Sequence, residues 1–178
     1  MIDKVDDIKI SVVHSFDEMQ QALAIRAAVF MGEQGSYYME EFDGNDLCAT
    51  HILASINGEP IGVMRIRWFY DFAKLERMAV LKKHRNFSVL RRLARYAVEL
   101  CRNKGYLRVY GYAEERVTAI WRRLGFEIIE NRPEKFSEND SHIYFPVVGI
   151  LSPSSSPIDH SCDIKTINLP EGEWGLES

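Results

Sequence analysis

The sequence lacks the features that would commit it to a membrane, an oxidising compartment or a nucleic acid. No run among its 178 residues approaches the roughly 20 consecutive apolar residues that span a bilayer. Cysteine is scarce: Cys48, Cys101 and Cys162 are odd in number, far apart and without a Cys-x-x-Cys pair. That argues against a disulfide framework or a zinc site and fits a reducing cytoplasm. Positive charge is not in excess, since 22 Lys and Arg against 26 Asp and Glu leave a net charge of −4. The whole molecule therefore offers no basic field for nucleic acid. The opening Met1-Ile2-Asp3-Lys4-Val5-Asp6-Asp7 alternates charged and apolar groups, so it reads as neither a signal nor a transit peptide.

What is present is ordinary for one soluble globular domain. Hydrophobic residues make up 46% and charged residues 27%, on a chain long enough to bury a core. The domain is expected over residues 1–150. The tail 151–178, with its Ser-Pro-Ser-Ser-Ser-Pro run, reads as a docked or loose extension with no core of its own. No internal repeat is visible.

Hydrophobic periodicity places the elements. Residues 8–13 read as a β-branched strand, followed by a helix capped by Ser15 or Asp17 and running to about Val29. Its expected apolar stripe is Met19, Leu23, Ile25, Ala28 and Val29. Residues 31–48 show no period and carry Gly32, Gly35 and Gly44, a long working loop with room for a short helix. A hairpin follows, Thr50–Ile56 and Pro60–Tyr70 around Asn57-Gly58-Glu59, then a strand over Ala73–Leu81. Ser88 is expected to open a strong helix carrying Leu90, Leu93, Ala94, Ala97, Leu100 and Cys101, ended at Asn103-Lys104-Gly105. Strands over Tyr106–Tyr112, Phe126–Ile129 and His142–Ile150 surround a short helix over Glu114–Leu124. This order implies a mixed sheet with helices on both faces.

The chemistry concentrates where the strand ending at Leu81 turns into the next helix. From Lys82 to Arg95 there are six Lys or Arg and no acid. The free N–H groups and positive dipole end of a helix's first turn suit a phosphate. The plain alternative is a solvated helix face with a charged turn. Glu76, inside a covered strand, is either a salt-bridge partner of Arg65, Arg67 or Arg77, or a base at the sheet opening. Glu41 and Asp46 would either attract a cationic amine or simply keep the loop solvated. His51 and His142, each at a strand end, would line the site or serve structure. Arg26 and Tyr110 read as packing or surface residues. The Asp43…Asp46…His51 spacing matches no metal site, and none is expected.

Four segments resemble the GNAT (GCN5-related N-acetyltransferase) superfamily, in the right order over about residues 8–150. Glu76-Arg77-Met78-Ala79-Val80-Leu81-Lys82-Lys83-His84-Arg85-Asn86-Phe87-Ser88-Val89-Leu90 is similar to its coenzyme-A motif. Ile25-Arg26…Val29-Phe30…Glu33-Gln34, with Glu41-Phe42-Asp43-Gly44-Asn45-Asp46 and His51, resembles the first helix and loop of one subgroup. Gly58-Glu59-Pro60-Ile61-Gly62-Val63-Met64-Arg65 resembles the second hairpin. Ala119-Ile120-Trp121-Arg122-Arg123-Leu124-Gly125-Phe126 resembles the closing motif.

The resemblance implies an α/β (α+β) fold with a mostly antiparallel central sheet of six to seven strands and helices on both faces. It implies a cytoplasmic N-acyltransferase that takes acetyl-CoA or another acyl-CoA as co-substrate and acylates a small-molecule amine by direct attack, without a metal. Backbone groups of Met78, Ala79 and Val80 would pair with the pantetheine, and N–H groups from Arg85, Asn86, Phe87, Ser88, Val89 and Leu90 would cradle the pyrophosphate. The sheet would splay beside Val80. Glu76 would be the base, with Glu41, Asp46 and Trp121 on the acceptor side. Ser88 and Leu90 stand where the family has small residues. Trp121 stands at its usual Tyr, and an indole cannot act as the acid there. An acyl-carrier-protein-dependent N-acyl amino acid or acyl-homoserine-lactone synthase is the alternative within the superfamily. A non-catalytic acyl-CoA-binding or protein-interaction domain is the alternative outside it. A homodimer is compatible with either.

Overall fold

The structure is a computed structural model that describes residues 8–135 and 142–174. The opening Met1–Asp7 and the last four residues of the tail lie outside the described residues. Among the described residues seven strands form one sheet: β1 (Ile8–Val12), β2 (Thr50–Ile56), β3 (Glu59–Trp68), β4 (Ala73–Val80), β5 (Arg108–Glu114), β6 (Glu127–Ile128) and β7 (Tyr144–Ile150). Their order is β1-β2-β3-β4-β5-β7-β6. All pairs are antiparallel except β4–β5, which is parallel. The β2–β3 hairpin closes on Asn57 and Gly58, at φ 52° and 84°. Two left-handed residues match the twist of the strands they join, which is why Asn-Gly serves there.

Each face of the sheet carries its own apolar layer. Helix α3 (Phe87–Asn103) buries Val89, Leu93, Ala94, Ala97, Leu100 and Cys101 against Ile52, Met64, Ile66, Leu75 and Val80. Helix α4 (Thr118–Arg123) adds Trp121 to that layer, beside Phe126. On the opposite face, helix α1 (Phe16–Arg26) sets Ala22, Ile25 and, just beyond its end, Val29 against Leu53, Val63 and Ala79. Short helices α2 (Tyr38–Glu41) and α5 (Ile164–Ile167) lie in the loop and the tail.

Several boundaries differ from the periodicity reading. The first helix does not stop at Val29 but continues through Ala27–Glu33 in π geometry, with Gln34 N–H donating to Val29 C=O. The wider turn takes in Gly32 and keeps Val29 and Phe30 on the sheet. The buried stripe is Ala22, Ile25, Arg26 and Val29 rather than the expected Met19, Leu23 and Ala28. An arginine thus takes a core position of the i, i+3, i+4, i+7 pattern. Helix α3 is capped by Asn86, whose side chain accepts from Val89 N–H at 3.1 Å, and not opened by Ser88. Asn ranks beside Ser at an N-cap, and it lies one residue before the first helical position. The strand expected over Tyr106–Tyr112 is shifted to Arg108–Glu114, so Glu114 ends a strand and does not begin a helix.

The tail is docked. Glu171 accepts from Thr50 Oγ1 at 2.7 Å and from Lys104 Nζ at 2.5 Å, and Trp174 packs against the α3-side core. Among the described residues no helix is long and apolar enough to cross a membrane.

Candidate active site

Two irregularities in β4 define the site. The first is a bulge: Val63 pairs with Ala79 and Arg65 with Glu76, so β4 spends one residue more than β3 over this stretch. The extra residue is absorbed around Arg77, which sits at φ 53°. A non-glycine residue there costs about 1–3 kcal/mol and persists only where its surroundings hold it. Here the Arg77 guanidinium donates to Glu40 C=O at 2.5 Å and lies 3.1 Å from Glu41 Oε2. The second irregularity is a parting of strands. Strand β4 pairs with β5 only through Ala73–Leu75 against Val109–Gly111. At the last rung the backbones are so close that a Cβ on Gly111 would meet Leu75 O at 2.6 Å. From Glu76 onward the two strands diverge.

Glu76 is the first residue past that point and stands on the α1 side of the sheet. Its Oε1 accepts from Arg65 Nε at 3.0 Å and lies 2.8 Å from Nη2, and its Oε2 lies 2.7 Å from Lys74 Nζ. Arg65 is fully buried and also binds Asp43 and Asp46, at 2.7 and 2.8 Å. Arg26, likewise 0% exposed, holds Glu41 through Nε at 2.5 Å and Nη2 to the Glu41 carbonyl at 2.9 Å, and it bonds Asp46. The loop after the first helix is thereby tied to β3 and β4 by buried ion pairs. Burial opposes ionisation of Asp43 and Asp46, yet the arginine hydrogen bonds outweigh it and hold both carboxyls below their usual range. For Glu41 the balance runs the other way: desolvation exceeds the pull of Arg26 and Arg77 and raises its pKa. Desolvation also lowers the pKa of His51, whose Nε2 faces Asp46 O at 3.2 Å.

The other side of the opening is the arm Met78-Ala79-Val80, the basic turn and the start of α3. The N–H groups of Phe87 and Ser88 have no hydrogen-bond acceptor among the described residues, whereas Val89 and Leu90 donate to Asn86. Leu90 packs toward the core and leaves the helix mouth clear. The Arg85 side chain folds back, donating to Val80 C=O at 3.0 and 2.9 Å and to Glu33 at 2.7 Å.

The residues singled out from the sequence do not all meet. Glu41, Asp46 and Glu76 share one ion-pair network with Asp43 and His51. Glu41, however, is 2% exposed with both oxygens facing arginines, so it is not open to solvent. Trp121 is not brought to this cluster: it lies in the layer on the other face, 7% exposed and edge-on to Phe126 at 5.0 Å. His142 stands farther along, 4.0 Å from Glu114. Tyr110 lies edge-on to Tyr112 at 5.4 Å, its pKa pushed up to about 12 by desolvation and its bond to Tyr112. Sequence reasoning missed Lys74 altogether. Its signal was the two-residue spacing from Glu76, which places both side chains on one face of a strand.

The profile of the acetyltransferase (GNAT) family matches residues 18–126, from the first helix through the β4 arm to Phe126. The chain belongs to the GNAT acetyltransferase family. As a GNAT protein it is an acyl-CoA-dependent N-acyltransferase. The uncharacterized Bacillus subtilis protein YyaT is 29% identical over 114 residues, which cover 62% of this chain and 77% of YyaT. The crystal structure of Escherichia coli ElaA has a TM-score of 0.68 at 24% identity, over 79% of this chain and 98% of ElaA. A GNAT acetyltransferase of Elizabethkingia anophelis, solved with acetyl-CoA bound, has a TM-score of 0.62 at 20% identity, over 82% and 99% of the two chains. These likenesses establish the GNAT fold of the seven-stranded sheet.

Proposed function

We propose that this GNAT chain moves an acetyl or other acyl group from acyl-CoA to the amine of a small molecule, by direct attack within a ternary complex. One observation carries the reading: β4 leaves β5 directly after the Leu75–Gly111 rung, and Glu76 is the first side chain past it. The parting leaves the β5-facing edge of β4 open to an extended pantetheine along Met78, Ala79 and Val80, with the Val80 C=O already taken by Arg85. The open N–H groups of Phe87 and Ser88, at the positive end of α3, suit the pyrophosphate. Arg85 gives that cradle neither group: its N–H donates to Lys82 C=O and its side chain is committed to Val80 and Glu33. Acyl-CoA supplies the thioester, whose thiol, with a pKa near ~8.5, leaves without a protein acid. Trp121 then needs no acid role. On the α1 side, Glu76 Oε1 is fixed by Arg65 while Oε2 bears the partly exposed Lys74, so Oε2 is the oxygen that can hold the acceptor ammonium and take its proton, directly or through water. Glu41 and Asp46 serve the acceptor by fixing the loop that borders it.

Calorimetry with CoA and dephospho-CoA, and turnover by Glu76→Gln, test this. CoA should bind, with affinity falling as salt rises. Glu76→Gln should lose about 10²-fold in kcat/KM at unchanged CoA affinity. The fold should survive, because Arg65 keeps Asp43 and Asp46. Absence of CoA binding at millimolar ligand, or normal turnover per folded Glu76→Gln molecule, would overturn the assignment.

A further inference from the structure

The ion pairs around the site are uneven in charge. Three arginines, Arg26, Arg65 and Arg77, face four carboxylates, Glu41, Asp43, Asp46 and Glu76. One negative charge remains, and it falls at the outer oxygen of Glu76, where Lys74 Nζ sits at 2.7 Å. The nearest other cation, Arg67 Nε, is 3.9 Å from Oε1 rather than on Oε2. The same Lys74 nitrogen lies 5.8 Å from the centroid of the Tyr112 ring. A carboxylate oxygen beside an aromatic face is the environment that recognises a primary ammonium. Here the protein's own ammonium occupies it.

Lysine suits a removable occupant. It presents a compact charge on a flexible stem, without the two-pronged grip that Arg65 keeps on its carboxylates. The Lys74 side chain is 23% exposed, so its charge can move into water, while Glu76 at 9% cannot follow it. An incoming ammonium would replace it one for one, leaving the charge of the network unchanged.

We propose that Lys74 is a gating side chain: its ammonium holds the place the acceptor's ammonium takes, and binding of the amine displaces it. The inference rests on Glu76 as the acceptor's anchor and adds that acceptor affinity is set by competition with Lys74. It gives the acceptor class as a primary amine whose charged head fits between Glu76 and Tyr112. A partly exposed ion pair is populated only a few-fold over its open form. The competition therefore weakens the acceptor by a similar factor, because apparent affinity scales with the open fraction.

The test is calorimetric binding of 2-phenylethylammonium chloride to the full chain without acyl-CoA. Lys74→Met, which keeps the stem and removes the charge, should bind it about two- to six-fold tighter than wild type. Lys74→Arg should bind no tighter than wild type, and Glu76→Gln added to Lys74→Met should abolish the gain. Equal or weaker binding by Lys74→Met, including no detectable binding in either protein, would overturn the proposal. So would a gain that survives Glu76→Gln. Because the measurement involves no acyl-CoA and no turnover, its failure is separable from failure of the transferase reading, which rests on CoA binding and Glu76→Gln kinetics.

Discussion

Replacing Arg26 by Met puts the buried network under its most direct load. Arg26 is 0% exposed and contacts Glu41, itself 2% exposed, through two hydrogen bonds, and Asp46 through a third. Methionine fills much of the stem's volume but leaves Glu41 with Arg77 alone and Asp46 with Arg65. Removing one partner of a buried pair typically costs about 3–5 kcal/mol, since the remaining charge has lost its compensation. For a chain of this size each kcal/mol lowers Tm by about 2–4 °C, so a drop of about 6–20 °C is expected. Glu41→Gln alone should cost less, because Arg26 keeps Asp46 and the carbonyl of residue 41. Combining the two should cost less than their sum, by about 0.5–3 kcal/mol, because the second change removes the charge that the first left stranded. Thermal and urea unfolding of the four proteins measure this cycle. An Arg26→Met variant within 1 kcal/mol of wild type, or strictly additive effects, would refute the view that these pairs hold the loop.

Acid should destabilise the protein mainly below pH 4. Asp43 and Asp46 titrate below the ordinary aspartate value of 3.8 in the folded state, so their contribution is complete above that value and lost as pH falls through their lowered values. Glu41, raised above 4.5, acts oppositely: it favours folding at low pH and less as pH rises through its raised value, which blunts the slope above pH 4.5. Tm measured from pH 6 to 2.5 should therefore fall most steeply at the acid end, and Asp43→Asn should flatten that fall. A steeper fall in Asp43→Asn would contradict the assignment. Glu171→Ala should lower stability by about 1–2 kcal/mol, with an unchanged urea m-value, because it removes acceptors for Thr50 and Lys104. No change would mean that the tail is held by Trp174 packing alone. Trp121→Ala should cost about 3–5 kcal/mol as a core truncation while leaving CoA affinity per folded molecule intact. A selective loss of CoA or acceptor binding would return Trp121 to the site.

Much of this fold was legible because its elements obey simple periods. The apolar stripe of α3 from Leu93 to Cys101 and the Asn57-Gly58 turn follow from local chemistry, and the structure has both. The misreadings arose where tertiary partners override local preference. Arg26 looked like a surface or packing residue because nothing near it in sequence reveals that Glu41 and Asp46 return to neutralise it. The first helix was expected to run only to about Val29, because residues 31–48 show no period, yet burial of Val29 and Phe30 carries it on to Glu33. In the site, Glu76 and its arginine partner stood out as charges in an apolar strand. Lys74 did not, because an exposed-looking lysine near the start of a strand is unremarkable until its nitrogen is seen on a carboxylate.

The bulge at Arg77 also acts as a change of reading frame. Alternation along an unbroken strand would put Met78 and Val80 on the same face as Glu76, and Ala79 on the other. With one residue inserted, Ala79 instead joins the α1-side layer and Val80 the α3-side layer. One strand thus serves polar chemistry on one side of residue 77 and a two-faced apolar core beyond it. The length of β4 is therefore under tighter constraint than its composition. Many side chains at position 77 could be accommodated at the cost of strain, but deleting the residue would swap the partners of every side chain from Met78 to Val80 at once.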